Sequence, residues 1–255
     1  MNAGAVYVTG AASGIGLTLA RLLVASGSAV ALMDVDPRVE LVAQALSGDG
    51  SAVVGLRCDV RSEAEVLNSF DAAAKVVGPA HGLVTCAGID RSRVVHELAA
   101  EAWDEVLDIN LRGTFLACRS ALRHMLELGS GAIVCVASPF AHVAPEGGAA
   151  AYCASKGGVC ALVRSLAVDY GRRGIRVNAL LPGPTDTPLM WANVNDSKVD
   201  TMRSRLLDEV PLGRLAQPNE PAAAALWLLS DQASYVNGAE LVCDAGVLAK
   251  ASVSI

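Results

Sequence analysis

Short apolar runs alternate along the chain with longer segments of helical periodicity. The runs are six to nine residues long, which is the length of a buried strand rather than of a helix. Strands that are apolar throughout and alternate with helices are typical of a parallel sheet covered on both faces. The pattern predicts seven strands, at residues 5–10, 28–34, 52–59, 81–88, 131–138, 175–183 and 239–246.

The segments between these strands are helical, with one exception. Amphipathic spacing predicts helices from Ile15 to Ser26, from Pro37 to about Leu46, and over 152–170. Residues 184–200 have no clear period, and an irregular segment of that length in a compact domain is usually a functional lid or binding loop. We therefore predict a single α/β domain over residues 1–255, a doubly wound sheet of about seven parallel strands, with a lid at about 184–206.

Composition narrows the class of protein. The chain is 53% hydrophobic and 18% charged, with a net charge of −6. This favours a well-filled core and argues against a nucleic-acid footprint or an anionic membrane surface. The apolar runs are too short to span a bilayer. A glycine-rich motif starts by residue 9 and leaves no room for a targeting peptide, so we expect a cytoplasmic protein.

The seven cysteines show neither CxxC pairs nor His/Cys ligand spacing. This pattern predicts no metal site and no disulfide framework, and it favours reduced thiols in the core.

A glycine-rich turn follows the first strand and reads Thr9-Gly10-Ala11-Ala12-Ser13-Gly14-Ile15-Gly16. Glycines at such a turn let the backbone approach a pyrophosphate, which then lies at the N-terminus of the next helix. The alternative is an ordinary strand-to-helix turn. Asp34 ends the second strand and can accept hydrogen bonds from the adenosine ribose, while its charge would repel a 2′-phosphate. Since Val35 follows it, no basic neighbour is available for that phosphate, and we predict NAD as the cofactor.

Tyr152 and Lys156 are spaced by one helical turn, so they lie on the same helix face. By themselves they are as well explained by a partly exposed phenol and a lysine whose charged end reaches solvent. A lysine about 4 Å from a developing phenolate would stabilise it by roughly 4 kcal/mol at an effective dielectric near 20. That is about three pK units, which would bring the pKa of the tyrosine from about 10 towards 7.

The glycine spacing together with YxxxK resembles the short-chain dehydrogenase/reductase family, and the resemblance covers essentially the whole chain. Further stretches that match the family's pattern are CDV (58–60), NLRGTF (110–115), VASPF (136–140) and LPGPTDTP (181–188). The resemblance implies that Tyr152 exchanges a proton with the substrate oxygen and that Lys156 lowers its pKa and binds the nicotinamide ribose. It also implies that Ser138 positions the substrate and that Asn110 holds a water in a proton relay.

The cofactor residues that the resemblance implies extend over the carboxyl ends of the predicted strands. They are Gly10, Ser13, Gly14, Ile15, Gly16, Asp34, Asp59, Val60, Cys86, Ala87, Gly88, Tyr152, Lys156, Pro182, Gly183, Thr185 and Thr187.

The chain departs from the family's pattern near this site. Asn-Asn-Ala-Gly is replaced by Thr85-Cys86-Ala87-Gly88, and a further family asparagine is replaced by Cys135. Either the two new thiols pack against each other in a dry pair, or Cys86 and Cys135 form a redox-sensitive pair. Ser138 precedes Tyr152 by 14 residues, one more than usual in the family, and we place the extra residue within 144–150, in the substrate loop.

The predicted lid offers an apolar lining, so the expected substrate is a hydrophobic secondary alcohol, with cyclic and terpenoid-like alcohols as examples. The predicted substrate contacts are Ser138, Tyr152, Pro184, Leu189, Met190 and Trp191. His142 either contacts substrate or is a surface residue. Arg203 and Arg205 either capture an anionic group or, as their helical spacing favours, are solvated.

These features together predict an NAD-dependent secondary alcohol dehydrogenase acting on a small molecule, and the resemblance implies a homotetramer. Two alternatives stay open: a 3-oxoacyl thioester reductase, and a non-catalytic dinucleotide sensor.

Overall fold

A computed structural model describes residues 4–48 and 52–250. Seven parallel strands form one sheet in the order β3-β2-β1-β4-β5-β6-β7, as the apolar runs predict. The strands are β1 Ala5–Thr9, β2 Val30–Asp34, β3 Val53–Arg57, β4 Ala80–Thr85, β5 Gly131–Val136, β6 Ile175–Pro182 and β7 Glu240–Cys243.

The order of the strands reverses direction between β1 and β4. Chain progression runs outward from β1 to β3 and then returns to β4 on the other side of β1. In open α/β sheets such a switch point leaves a crevice at the carboxyl ends of the strands, where ligands bind. The helices that connect the strands are α1 Gly14–Ala25, α2 Arg38–Leu46, α3 Glu63–Val77, α4 Ala100–Leu107, α5 Gly113–Leu128, α6 Ala150–Tyr170, α7 Pro188–Trp191, α8 Val199–Glu209 and α9 Asn219–Leu229.

Each face of the sheet has its own apolar core. Successive side chains of a strand point to opposite faces, so Tyr7 packs on one side of β1 while Val6 and Val8 pack on the other. Helices α3, α5 and α6 cover the Tyr7 face, and α1, α2 and α9 cover the opposite face. The two buried faces explain why β1 is buried at all five positions.

The bounds of two predicted elements differ from those in the structure. Strand β4 ends at Thr85, because Cys86–Gly88 leave the sheet to line the crevice. Residues 184–200 are not uniformly irregular: α7 starts at Pro188, a residue suited to the first turn of a helix, and a 3-10 turn at Asp196–Lys198 leads into α8. Within residues 4–48 and 52–250, no helix has the length and apolar character needed to cross a membrane.

Candidate active site

The glycine-rich turn lies at the switch point of the sheet. Gly10 has φ +66°, and a Cβ there would lie 2.5 Å from the backbone nitrogen of Ala87. A side chain at Gly16 would lie 2.2 Å from the carbonyl oxygen of Gly10. Both positions therefore require glycine, and the turn presses against Cys86–Gly88 as it enters α1. The backbone cradle at the start of α1 fits a pyrophosphate, which helix N-termini bind through free N–H groups.

Asp34 is held in a fixed orientation at the end of β2. Its Oδ2 accepts a hydrogen bond from Ala12 N at 2.9 Å, and its Oδ1 accepts one from Asp36 N at 3.0 Å. Each carboxylate oxygen keeps a lone pair for a further donor. The carboxylate therefore suits the hydroxyls of an adenosine ribose.

A basic residue that the sequence pattern did not single out lies near Asp34. Arg38, at the start of α2, forms an ion pair with Asp36 at 2.5 Å, and Asp34 also acts electrostatically on it. The absence of a basic residue directly after Asp34 does not mean that the surroundings are free of positive charge. Because Arg38 is paired with Asp36, its charge is already partly neutralised.

Asp59 and Val60 follow β3, next to the crevice. The Asp59 carboxylate forms an ion pair with Arg61 at 2.6 Å, which lowers its pKa. Val60 is buried, and a Cβ on Gly113 would lie 2.7 Å from its side chain. Val60 thus packs on the start of α5, and the side chain of Asp59 is already engaged.

The loop after β6 closes the other end of the crevice. Gly183 N donates to Cys243 O at 2.9 Å, and the buried Thr185 hydroxyl donates to Gly183 O at 2.9 Å. A Cβ on Gly14 would lie 3.4 Å from the Thr187 methyl group. The loop Pro182–Thr187, which holds four of the expected cofactor contacts, is therefore next to the glycine-rich turn that is expected to hold phosphate.

Tyr152 and Lys156 lie in the first two turns of α6, as predicted. The Lys156 ammonium donates to Val136 O at 2.8 Å and lies 5.6 Å from the centre of the Tyr152 ring. Lys156 is only 5% exposed, and burial lowers its pKa to about 8.

In the protein without cofactor, Lys156 does not bring the Tyr152 pKa towards 7, so that expectation is wrong for this state. Burial raises the pKa of Tyr152 to about 12, the Ser138 hydroxyl opposes that rise, and the Asp90 charge adds to it. The ammonium is directed to Val136 O and approaches the face of the ring. A phenolate at neutral pH needs a further positive charge nearby.

Ser138 is buried at the end of β5 and lies within reach of Tyr152. Its Oγ accepts a hydrogen bond from Phe140 N at 3.2 Å. The Phe140 ring meets the Tyr152 ring edge-on, with 6.3 Å between the centroids. The structure thus brings Ser138 and Tyr152 together despite the longer spacing, and it adds Phe140 as a neighbour of Tyr152 that sequence reasoning missed.

Asn110 lies in a π-helical turn, Asp108–Arg112, between α4 and α5. Its Nδ2 donates to Ile89 O at 2.9 Å and to Ser155 Oγ at 3.0 Å, and its Oδ1 accepts from Ile89 N at 2.8 Å. The buried amide ties the chain after β4 to α6. Such π-turns are frequent at functional sites, but no periodicity in the sequence predicted this one.

The lid is held together by a small polar cluster. Trp191 Nε1 donates to Asp186 Oδ1 at 2.7 Å, Arg203 pairs with Asp186 at 3.2 Å, and the Arg203 guanidinium lies 4.8 Å from the centre of the Trp191 ring. The expectation that Arg203 is simply solvated is therefore wrong, because the arginine joins α8 to α7. Leu189 remains 38% exposed.

The His142 side chain is hydrogen-bonded to Glu240 of β7. Its Nε2 contacts Glu240 Oε2 at 2.5 Å, and Arg164 binds Glu240 Oε1, also at 2.5 Å. Cys160 is close by, within 4.8 Å of both His142 and Glu240. These three ligand types come from distant parts of the sequence, which is why spacing did not reveal them. Both oxygens of Glu240 are already paired.

The thiol next to Cys135 is that of Cys118, at 3.7 Å. Cys135 belongs to the core on the Tyr7 face of the sheet, whereas Cys86 packs against the opposite core. All seven cysteines are free. The expected pairing of Cys86 with Cys135 is therefore corrected, since the two side chains pack in different cores on opposite faces of the sheet.

The glycine cradle, the switch-point crevice and the neighbouring Ser, Tyr and Lys define a class of protein, the dinucleotide-dependent α/β oxidoreductases. A family model described as enoyl-(acyl carrier protein) reductase matches residues 10–248. The chain belongs to the short-chain dehydrogenase/reductase family, and its relatives are dehydrogenases of hydroxy compounds.

Three similar proteins illustrate this relationship. A D-threitol dehydrogenase of Mycolicibacterium smegmatis is 42% identical over 244 residues, covering 95% of this chain and 92% of that protein. A cis-4-hydroxycyclohexanecarboxylate dehydrogenase of Sinomonas cyclohexanicum is 44% identical over 243 residues, covering 95% of each. The crystal structure of a gluconate 5-dehydrogenase from Burkholderia cenocepacia, in complex with NADP and tartrate, is 31% identical with a TM-score of 0.91. The match covers 98% of this chain and 97% of that one.

Proposed function

We propose that this protein is an NAD-dependent dehydrogenase that interconverts a hydrophobic secondary alcohol and its ketone. The observation that carries the proposal is the convergence of Ser138, Tyr152 and Lys156 at the carboxyl end of the sheet, beside the glycine cradle. A dinucleotide sensor has no use for a buried acid–base pair, and burying Lys156 is costly.

The preference for NAD over NADP rests on Asp34. Its carboxylate is oriented by Ala12 N and Asp36 N, and it would repel a 2′-phosphate. The gluconate dehydrogenase structure contains NADP, so the fold alone does not decide between the cofactors, and the charge at this one position carries the argument.

Each catalytic residue has a role that its contacts support. Tyr152 takes the hydroxyl proton of the alcohol, and Ser138 holds the same oxygen in place. Lys156 donates one hydrogen bond to Val136 O, which ties α6 to the end of β5. Its other ammonium protons are available for the nicotinamide ribose. Asn110 positions Ile89 and α6, and we assign it the water of a proton relay. The glycine-rich turn, Asp34 and Lys156 would hold NAD, which would supply the hydride acceptor and a positive charge.

That positive charge is what the Tyr152 phenol needs. Burial favours the neutral phenol and raises its pKa to about 12. A cation placed a few ångströms away opposes that effect, by roughly 4 kcal/mol per unit charge at 4 Å and an effective dielectric near 20. A positive charge supplied by bound NAD would therefore favour Tyr152 as the base, together with the Ser138 hydroxyl that already lowers its pKa.

The expected substrate contacts lie along the edge of the crevice. Leu189, Met190 and Trp191 belong to the short helix α7, and Ala216 N donates a hydrogen bond to Pro184 O. Phe140 adds an aromatic wall next to Tyr152. These surfaces suit a compact carbon skeleton, and the names of the relatives, which include a hydroxycyclohexane acid and a four-carbon polyol, are compatible with a small substrate.

We further propose a cytoplasmic homotetramer. Strand β7 is an edge of the sheet and carries Val242, which is 43% exposed, and α6 carries Val168, which is 82% exposed. Exposed apolar side chains of this kind suit contacts between subunits. Light scattering coupled to size exclusion distinguishes a tetramer of the 26.1 kDa chain from a monomer.

The test of the function is NADH formation at 340 nm, with NAD and then NADP, across acyclic, cyclic, terpenoid and steroid alcohols. Turnover with NAD on a secondary alcohol supports the proposal. Turnover only in the reverse direction, with NADPH and 3-oxoacyl thioesters, would establish the reductase alternative. Nucleotide binding without turnover in any arm would establish the sensor.

A further inference from the structure

Asp90 lies between the catalytic tyrosine and the lid, and its carboxylate is only half used. One oxygen, Oδ2, accepts a hydrogen bond from the Ser92 hydroxyl. The other, Oδ1, is buried and has no hydrogen-bond partner within residues 4–48 and 52–250. A buried polar atom without a partner costs free energy, so this oxygen calls for a donor from outside the chain.

The backbone around Asp90 is held from two sides. The preceding residue, Ile89, makes two hydrogen bonds with the buried Asn110 amide, at 2.8 and 2.9 Å. From the lid, Asn193 Nδ2 donates to the Asp90 carbonyl oxygen at 3.0 Å. Asp90 therefore has a fixed position relative to both the catalytic helix α6 and the lid.

The carboxylate is close enough to the catalytic tyrosine to act on it. The Asp90 charge contributes to raising the pKa of Tyr152 and of the next residue, Cys153. Among residues 4–48 and 52–250 no cation forms an ion pair with Asp90, and the neighbouring Arg91 is paired with Glu105 at 2.9 Å. Asp90 thus acts electrostatically on the reacting group, and its backbone is hydrogen-bonded to Asn193 of the lid.

We propose that Asp90 Oδ1 accepts a hydrogen bond from a second hydroxyl of the substrate, close to the carbinol carbon that is oxidised. This inference rests on the proposed function and narrows its substrate class to diols and polyols with a compact carbon skeleton. The apolar lid and Phe140 contact the skeleton, and Asp90 contacts the additional hydroxyl. A site built around such a buried acceptor discriminates against the analogue that lacks the donor, because the acceptor then stays unpaired.

The test compares matched substrates: cis-1,2-cyclohexanediol with cyclohexanol, and 2,3-butanediol with 2-butanol. With NAD, we expect kcat/KM of the wild type to favour the diol of each pair by about 10- to 100-fold, which is the range for a hydrogen bond to a charged acceptor. In Asp90→Ala that ratio falls to about one. The control is Asp104→Asn, an exposed aspartate on α4, which keeps the wild-type ratio.

A second readout separates a contact with substrate from a merely structural role. Asp90→Asn removes a negative charge near Tyr152, so the acid limb of the pH profile of kcat/KM for cyclohexanol should move to lower pH. A substitution that only loosened the loop would lower the rate without moving this limb.

Binding is measured independently of turnover by calorimetry. In Tyr152→Phe with NADH bound, adding Asp90→Ala should raise the Kd of cis-1,2-cyclohexanediol about 10- to 100-fold. Equal Kd values with and without Asp90, or a diol-to-alcohol ratio that survives Asp90→Ala, would overturn the inference while leaving the dehydrogenase intact. Calorimetric binding that depends on Asp90, with no NADH formed by the wild type from any of the four alcohols, would support the subsite and overturn the proposed function.

Discussion

The charge of Asp34 should set the choice between NAD and NADP. A 2′-phosphate carries about 1.5 to 2 negative charges at neutral pH. At about 4 Å from the carboxylate, each unit of charge costs roughly 4 kcal/mol at an effective dielectric near 20. Asp34 is half-buried, and solvent screening reduces that cost. We therefore set the repulsion between Asp34 and the 2′-phosphate at about 2 to 4 kcal/mol. This corresponds to a preference for NAD of about 30- to 1,000-fold.

Asp34→Asn removes the charge while preserving the shape of the side chain. The amide oxygen can still accept from Ala12 N, whereas the amide nitrogen cannot accept from Asp36 N. We expect the preference for NAD to fall to 10-fold or less, by about 10- to 100-fold in the ratio of kcat/KM values. Asp36→Asn weakens the ion pair of Arg38, and adding it to Asp34→Asn should raise kcat/KM with NADP further.

The assay is the ratio of kcat/KM values for NAD and NADP on one alcohol, together with Kd values for both reduced cofactors from protein fluorescence. Thermal unfolding of each variant shows whether the fold is kept. A wild type that uses NADP as well as NAD would refute the reasoning, and so would an Asp34→Asn variant that keeps the full preference.

Two further predictions concern buried charge and backbone strain. Burial lowers the Lys156 pKa to about 8, while its value in the unfolded chain is near 10.5. The cost of burying the charge is therefore fully present below pH 8 and vanishes above about pH 10.5. Relative to Lys156→Met, the free energy of unfolding of the wild type should rise by up to about 3 kcal/mol from pH 7 to 10.5. Denaturant titrations at both pH values measure this, and a difference that does not change with pH would contradict it. Gly148→Ala should lower stability by more than about 2 kcal/mol, because its Cβ would lie 2.2 Å from the Arg93 carbonyl carbon. Gly147→Ala has a similar positive φ and no atom within 4 Å, so it should cost only about 1 kcal/mol; equal midpoints of thermal unfolding for the two variants would contradict the argument.

The fold was predictable because its signals are local. Buried parallel strands are apolar along their whole length, and each apolar run between Ala5 and Cys243 became a strand within a few residues of its predicted bounds. The end of β4 was less predictable, since Cys86–Gly88 continue the apolar pattern of the strand but lie outside the sheet, at the crevice. The lid was predicted as irregular because the contacts that order it, from Arg203 to Trp191 and Asp186, join separate segments.

The site was predictable only as far as its residues belong to contiguous motifs. Tyr152 and Lys156 share one helix, so their proximity follows from helical spacing. The sequence does not predict the thiol next to Cys135, because Cys118 lies on α5 and reaches β5 only through the packing of that helix on the sheet. The sequence does not single out Asp90, since a lone aspartate after a strand is common and only the structure shows its buried oxygen without a hydrogen-bond partner.

The central claim is that Tyr152 exchanges the proton in an oxidation that reduces NAD. The most direct test is a comparison of NADH formation by wild type, Tyr152→Phe and Tyr170→Phe, the last being a matched change at the far end of α6, with the Kd for NADH measured for each. We predict that Tyr152→Phe loses about 100- to 10,000-fold in kcat, as expected for removal of a general base, with an unchanged Kd, and that Tyr170→Phe keeps both. Turnover by Tyr152→Phe at the wild-type rate would contradict the account.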